Sequence, residues 1–271
     1  MSAPNPTTVR APSTGPAPAR PASAFRAVAT LAAFELKLTA RRGENVLVTL
    51  VIPVAVLLFF AGTTIIPLAT KPVDFLLPGS IALAIVAAGL VNLGIATAYE
   101  RSYGVLKRLG GAPLPRWGLV AAKITSILVL EVVQLIVLLV VATVALAWQP
   151  GPGWSPLLLV VALVLGTAAF AGLGLLLAGT LRAEATLALA NALFLGFLMV
   201  GGIVLPIDHL PGFLQGFASV LPATALADLL RIALASGTDA ATPASASGPL
   251  VLLAAWTIGA CGLAIRWFRW E

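Results

Sequence analysis

The sequence predicts an all-α membrane protein with six transmembrane helices, and three observations carry that prediction. Of its 271 residues, 60% are apolar and only 10% are charged, whereas a soluble domain carries about a quarter charged residues. Six stretches are each apolar over the length that a bilayer crossing needs, about 20 residues. Once those stretches are drawn, 14 of the 16 Lys and Arg residues fall on one side of the membrane, the bias of cytoplasmic segments. So few charges cannot cover a water-facing surface, which excludes an ordinary soluble enzyme or secreted domain.

Residues 1–22 hold six prolines, two arginines and no acid. They read as a disordered cytoplasmic tail, and they lack the apolar core of a cleavable signal. Residues 23–44 change character. Phe25, Val28, Ala29, Ala32, Ala33 and Leu36 share one helical face; Arg26, Thr30, Lys37 and Arg41 share another, and Ser23 can cap the start. This segment is too polar to span but suits an interfacial amphipathic helix in the headgroup layer. The other reading is a helix packed on a neighbouring element.

Residues 45–271 form the six-span domain. The spans run over Val46–Ile66, Phe75–Ala98, Ile124–Ala147 (with Glu131), Trp154–Leu181, Ala185–Ile207 and Leu250–Ile265. Only Lys71 and Arg231 lie on the minority side, so both termini are expected in the cytoplasm. Trp148, Trp154, Trp267 and Trp270 fall near span ends, where indole rings favour the interface.

Two connections are unusual. Between the second and third spans, Tyr99–Lys123 starts as a short helix with Tyr103, Leu106 and Leu109 on one side and Arg101, Lys107 and Arg108 wet. Gly110-Gly111, Pro113 and Pro115 end it. It is either a docking knob for a soluble partner or a basic loop anchored on anionic lipid. After the fifth span, Gly201–Leu234 is mostly apolar but is cut by Pro206, Pro211 and Pro222. Short re-entrant helices on the extracellular end of the bundle fit, since irregular backbone at membrane depth must be buried in protein or line a cavity. The run from Ser236 to Pro249 reads as a flexible outer loop.

Glu100-Arg101, Gly104, Leu106-Lys107-Arg108-Leu109, Pro113-Leu114 and Arg116 resemble the pattern in permease subunits of type-2 ABC exporters. Family members commonly carry a second charged residue after the Glu-Arg pair; Ser102-Tyr103 stands there in this chain. Gly201, Gly202, Pro206, Leu210, Pro211, Leu221, Pro222, Thr224 and Arg231 resemble the outer segment of the same family. The resemblance covers nearly the whole chain and implies a coupling helix, at Glu100, Arg101, Gly104, Leu106, Lys107 and Arg108, that contacts a separate ATP-binding subunit. ATP and Mg²⁺ would bind there, since this chain has no GxxxxGK[ST] loop. The resemblance also implies two permease chains, as a homodimer or as a pair of different permeases, with two ATPases in a bacterial cell membrane. Within the family it is closest to drug and antibiotic efflux, with an apolar or amphipathic cargo. A lipid or lipid-linked glycan is the alternative cargo. No nucleic-acid partner is expected.

Glu131 is the one ionisable residue deep in a span. A charge there costs roughly 2.5–3.5 kcal/mol on insertion scales. The group must therefore be protonated, paired or facing a watery cavity. Glu131 and Gln134 are candidates for the substrate path, with an interhelical hydrogen bond as the other reading. Asn92 and Asn191 are further candidates, since a buried Asn can also be helix glue. Small residues four apart at Ala168/Gly172, Gly174/Ala178 and Ala188/Ala192/Gly196 predict close helix packing inside the bundle, or else a dimer seam.

One His (His209) and one Cys (Cys261) make no metal site. A proton-coupled transporter would place several ionisable groups at mid-membrane. An intramembrane enzyme would need a catalytic set, and here there is no HExxH and all four Asp fall outside the spans.

Overall fold

The structure, a computed structural model, describes residues 24–41, 43–62, 71–110, 116–235 and 245–268. The tail 1–22, Arg42, residues 111–115 with Pro113 and Leu114, most of the outer loop, Arg269 and Trp270 lie outside the described residues, as do the side chains of Arg108, Leu109 and Arg116.

The described residues are helical, without strands. Helix α1 (Ala24–Arg41) leads almost directly into α2 (Gly43–Ala61). Helix α3 (Pro72–Ser102) is followed by the short α4 (Val105–Gly110) and the long α5 (Arg116–Ala145). Then come α6 (Pro156–Thr180), α7 (Ala183–Val200), α8 (Gly212–Ala218), α9 (Pro222–Leu234) and α10 (Ser247–Trp267).

Five of these helices, α3, α5, α6, α7 and α10, are long and apolar enough to cross a membrane. Helix α2 is a further apolar helix of 19 residues, about 28 Å long at 1.5 Å per residue and so close to the thickness of the hydrocarbon core. Local chemistry sets the ends. Pro72 and Pro156 occupy first-turn positions where no N–H is needed. Ser155 caps α6 by accepting from the Leu158 N–H.

The bundle is held by backbone-to-backbone approaches at small residues. A Cβ on Gly174 of α6 would lie 2.5 Å from the Gly89 carbonyl oxygen of α3, and one on Gly94 would lie 3.0 Å from the Gly174 Cα. Gly172 meets α10 in the same way at Cys261. The stripes at Ala168/Gly172 and Gly174/Ala178 therefore pack inside the bundle. The third does not: Ala188, Ala192 and Gly196 are exposed on α7, and a Cβ on Gly196 would touch nothing.

Helices α8 and α9 meet at 78°. Helix α9 is buried against α3, α6 and α10, which is how its apolar, proline-broken sequence avoids water. Arg231 fastens it: Nη1 pairs with Asp228 at 2.9 Å, Nη2 donates to the Gly202 carbonyl, and the guanidinium lies 4.3 Å from the centre of the Phe75 ring. Gly202 has φ +67°, a conformation glycine adopts freely. The Ile203 carbonyl then passes so close to Gly79 that no side chain would fit there.

Two expectations are corrected. Trp148 is buried in the main core rather than placed at an interface, while Trp154 and Trp267 are exposed. Helix α1 packs on α5 through Leu31, Ala32 and Glu35, so its inward face is rotated from the wheel's apolar face and leaves Phe25, Ala29 and Ala33 outside.

Candidate functional site

Helices α1, α2, α3 and α5 enclose a groove of about 530 Å³. The sequence builds its α5 wall by helical spacing: Lys123, Ser126, Ile127, Leu130 and Gln134 fall on one face and all line it. On α3, residues Ala87–Leu93 wind as a π-helix, a local widening that often marks functional positions. Asn92 sits in this stretch.

The inner floor of the groove is tied at Thr49 of α2. The Asn92 amide donates to Thr49 Oγ1 at 3.0 Å, and the Gln134 amide donates to the Thr49 carbonyl at 2.7 Å. At the other end Lys123 is 1% exposed and donates from Nζ to Glu35 Oε1 at 2.9 Å and Glu100 Oε2 at 2.8 Å. One buried ammonium thus joins α1, α3 and α5. Leu38, Leu50, Ile95, Ile127, Leu130 and Val133 make the remaining wall mostly apolar.

Asn92 and Gln134 therefore meet at this groove, with Glu100 at its end. Glu131 does not join them. It lies eight residues beyond Lys123, about 80° around α5, and it is buried against α6, where its carboxyl contacts the Thr167 hydroxyl. The Thr167 hydroxyl also donates to the Leu163 carbonyl. The interhelical hydrogen bond is the reading that this geometry fits. Asn191 is exposed on α7, and among the described residues its amide bonds its own helix, at the Leu187 carbonyl.

The segment assigned to coupling is turned inward more than its sequence suggests. Helix α3 continues out to Ser102 and ends at Tyr103–Gly104. Gly104 has φ +71°, which resets the helical phase before α4. Tyr103 and Leu106 therefore do not share a face: Tyr103 is exposed and stacked on Tyr99, whereas Leu106 is fully buried against Leu119 and Val120. Glu100 faces Lys123, and Arg101 donates to the Leu181 carbonyl at the turn between α6 and α7. Among the described side chains of this segment Ser102, Tyr103, Val105 and Lys107 are exposed, and Tyr103 and Val105 also line the groove.

Glu35, Thr49 and Lys123 were not singled out by the sequence as site residues. A signal for Glu35 was present, since it lies three residues from Ala32 and four from Leu31 on the face that packs inward. Among the described residues no group of three or more His, Cys, Asp or Glu could hold a metal ion. His209 is exposed, and the Cys261 thiol donates to the Ala168 carbonyl.

Comparison with known proteins gives two findings. The model of the ABC-2 type transporter family matches residues 26–235. The chain is also similar to the linearmycin resistance permease protein LnrN of Bacillus subtilis (strain 168), with 31% identity over 169 residues. That match covers 61% of this chain and 43% of the relative, so it spans less than half of the relative's length.

Proposed function

The chain belongs to the ABC-2 type transporter family, and from that membership we propose that it is the permease subunit of an exporter powered by a separate ATP-binding protein. Its cargo is an apolar or amphipathic small molecule of the drug or antibiotic kind, moved outward. The working unit holds two permease chains, as a homodimer, and two ATPases, with both permease termini in the cytoplasm.

The observation that carries this reading is the position of the groove. Its apolar walls suit such a guest, and its polar end contains Glu100, on the final turn of α3 before the coupling segment. A push on that segment would be felt at Lys123, and through it at α1 and α5, while Arg101 would carry it to the turn before α7. Binding energy of the ATPase can shift the permease only where it favours one of two arrangements, and these bonds link that surface to the groove. The resistance permease relative supports a drug-like cargo.

Co-purification with the ATPase encoded beside the gene, followed by a screen for compounds that stimulate hydrolysis, tests the reading. The complex should form, and apolar or amphipathic compounds should raise its ATPase rate. Lys107→Glu, on the exposed edge of α4 and outside the groove lining, should weaken the hold of the ATPase on an otherwise intact permease. Failure to form a complex under any condition would overturn the proposal.

A further inference from the structure

The polar end of the groove carries an unbalanced charge. Two carboxylates, Glu35 and Glu100, share one ammonium, that of Lys123. Among the described residues no other cation pairs with either carboxylate. Counted as formal charges, two carboxylates and one ammonium sum to one negative charge, inside a protein whose formal net charge is +6. Lys123 also lines the groove but keeps only 1% of its side-chain exposure, whereas the two carboxylate side chains keep 11% and 19%. An excess carboxylate in a mostly apolar cleft is poorly solvated and gains from a cation placed beside it.

The hydrogen-bonding capacity of the lining points the same way. Gln134 can reach the Thr49 carbonyl only with its NH₂ group, which leaves its amide oxygen as an acceptor. The hydroxyls of Thr39 and Ser126 donate to the backbone carbonyls of Glu35 and Lys123. The groove thus offers acceptors and has already committed many of its donors.

We propose that the groove selects monocationic amphiphiles, with the cationic head against Glu35 and Glu100 and the apolar body along Leu38, Leu50, Ile127, Leu130 and Val133. A volume of about 530 Å³ lies within the range of drug-sized sites, so the cation belongs to a small-molecule cargo rather than to a lipid headgroup. This selectivity rests on the exporter reading for its biological role, but not for its binding test.

The test is equilibrium binding to the full-length chain in nanodiscs of phosphatidylcholine and phosphatidylglycerol, without ATP. The probes are a dansyl-labelled octylammonium and its N-acetylated, uncharged twin. The cation should bind at least tenfold more tightly than its twin. Glu100→Gln and Glu35→Gln should each reduce that preference, taken as the ratio of the two affinities in the same variant, to less than threefold.

Equal binding of the two probes to the unaltered chain would overturn the proposal whether or not the variants fold. So would a full cation preference in either variant. Loss of probe binding when phosphatidylethanolamine is added would assign the site to the lipid ammonium instead, also against the proposal. A cation that binds as expected but is not exported would count against the exporter reading alone.

Discussion

Lys123 has both of its partners on other helices, and its burial makes that arrangement consequential. Lys123→Met would leave two carboxylates facing each other across a nearly dry site. Removing one member of a buried ion pair costs about 3–5 kcal/mol. The variant should lose thermal stability by this order in detergent, and much of it should return when Glu35→Gln and Glu100→Gln are added to remove the stranded charges. A melting temperature that does not change in the single variant would show that the three groups do not form the pairs described.

Glu131 makes the opposite prediction. Its carboxyl faces Thr167 rather than the groove, and Gln keeps the size and hydrogen-bonding ends of the side chain. Glu131→Gln should therefore assemble and export normally in an efflux assay. Loss of efflux with intact assembly would return Glu131 to the substrate path. At this scale the sequence was only partly legible. Asn92 and Gln134 could be picked as polar groups in apolar spans. Hydropathy could not tell which face of α5 turned to a groove, and so Glu131 ranked with Gln134. Lys123 was read as a loop charge, because a sum of charges along the chain carries no information about pairing in space.

Among the helices, the α3–α6 crossing leaves no room for an added methyl group. Gly174→Ala would drive a methyl group into the Gly89 carbonyl and should destabilise the fold by about 1–3 kcal/mol, as overpacking does. Gly196→Ala, on the open face of α7, should be neutral or gain up to about 1 kcal/mol from helix propensity. Size-exclusion profiles of heated samples would compare them; equal losses in the two variants would contradict the crossing. The small-residue spacing alone predicted close packing at both sites. Only the three-dimensional arrangement separates them, since the spacing marks a face that permits approach and does not name what approaches.

The helices themselves were legible for a plain reason. Crossing a bilayer imposes a length and a composition, and the connections must carry the charges. Five of the six predicted spans correspond to helices long and apolar enough to cross a membrane, with the third starting earlier, at Arg116, and the fifth ending at Val200 rather than Ile207; the first corresponds to the shorter apolar run of α2. The segment around Gly104 was less legible. A helical wheel run through Tyr103 and Leu106 assumes one continuous phase, and a left-handed glycine breaks it. The rotation of α1 was hidden for a related reason: a wheel ranks faces by polarity, and α5 supplies a lysine that makes a polar residue the inward one.

For the molecule as a whole, the charge distribution and the groove lead to one mechanical picture. Tags at the two ends of the chain should both be accessible from the cytoplasm and protected in sealed cells if the spans drawn from the sequence hold, since that topology puts 14 of 16 basic residues on a single side. The ion triad and α4 lie at one end of the groove, so a soluble partner pressing on α4 would act close to it. Helix α9, with its Arg231 contacts, packs on α3, α6 and α10.

The most direct measurement is uptake of a fluorescent amphipathic amine into sealed inside-out vesicles holding this chain and its ATPase, with the proton gradient collapsed. Uptake should require ATP and both chains, and it should stop when the ATPase is left out or cannot hydrolyse ATP. Uptake that continues without the ATPase, or that follows an imposed proton gradient in place of ATP, would contradict an ATP-driven permease.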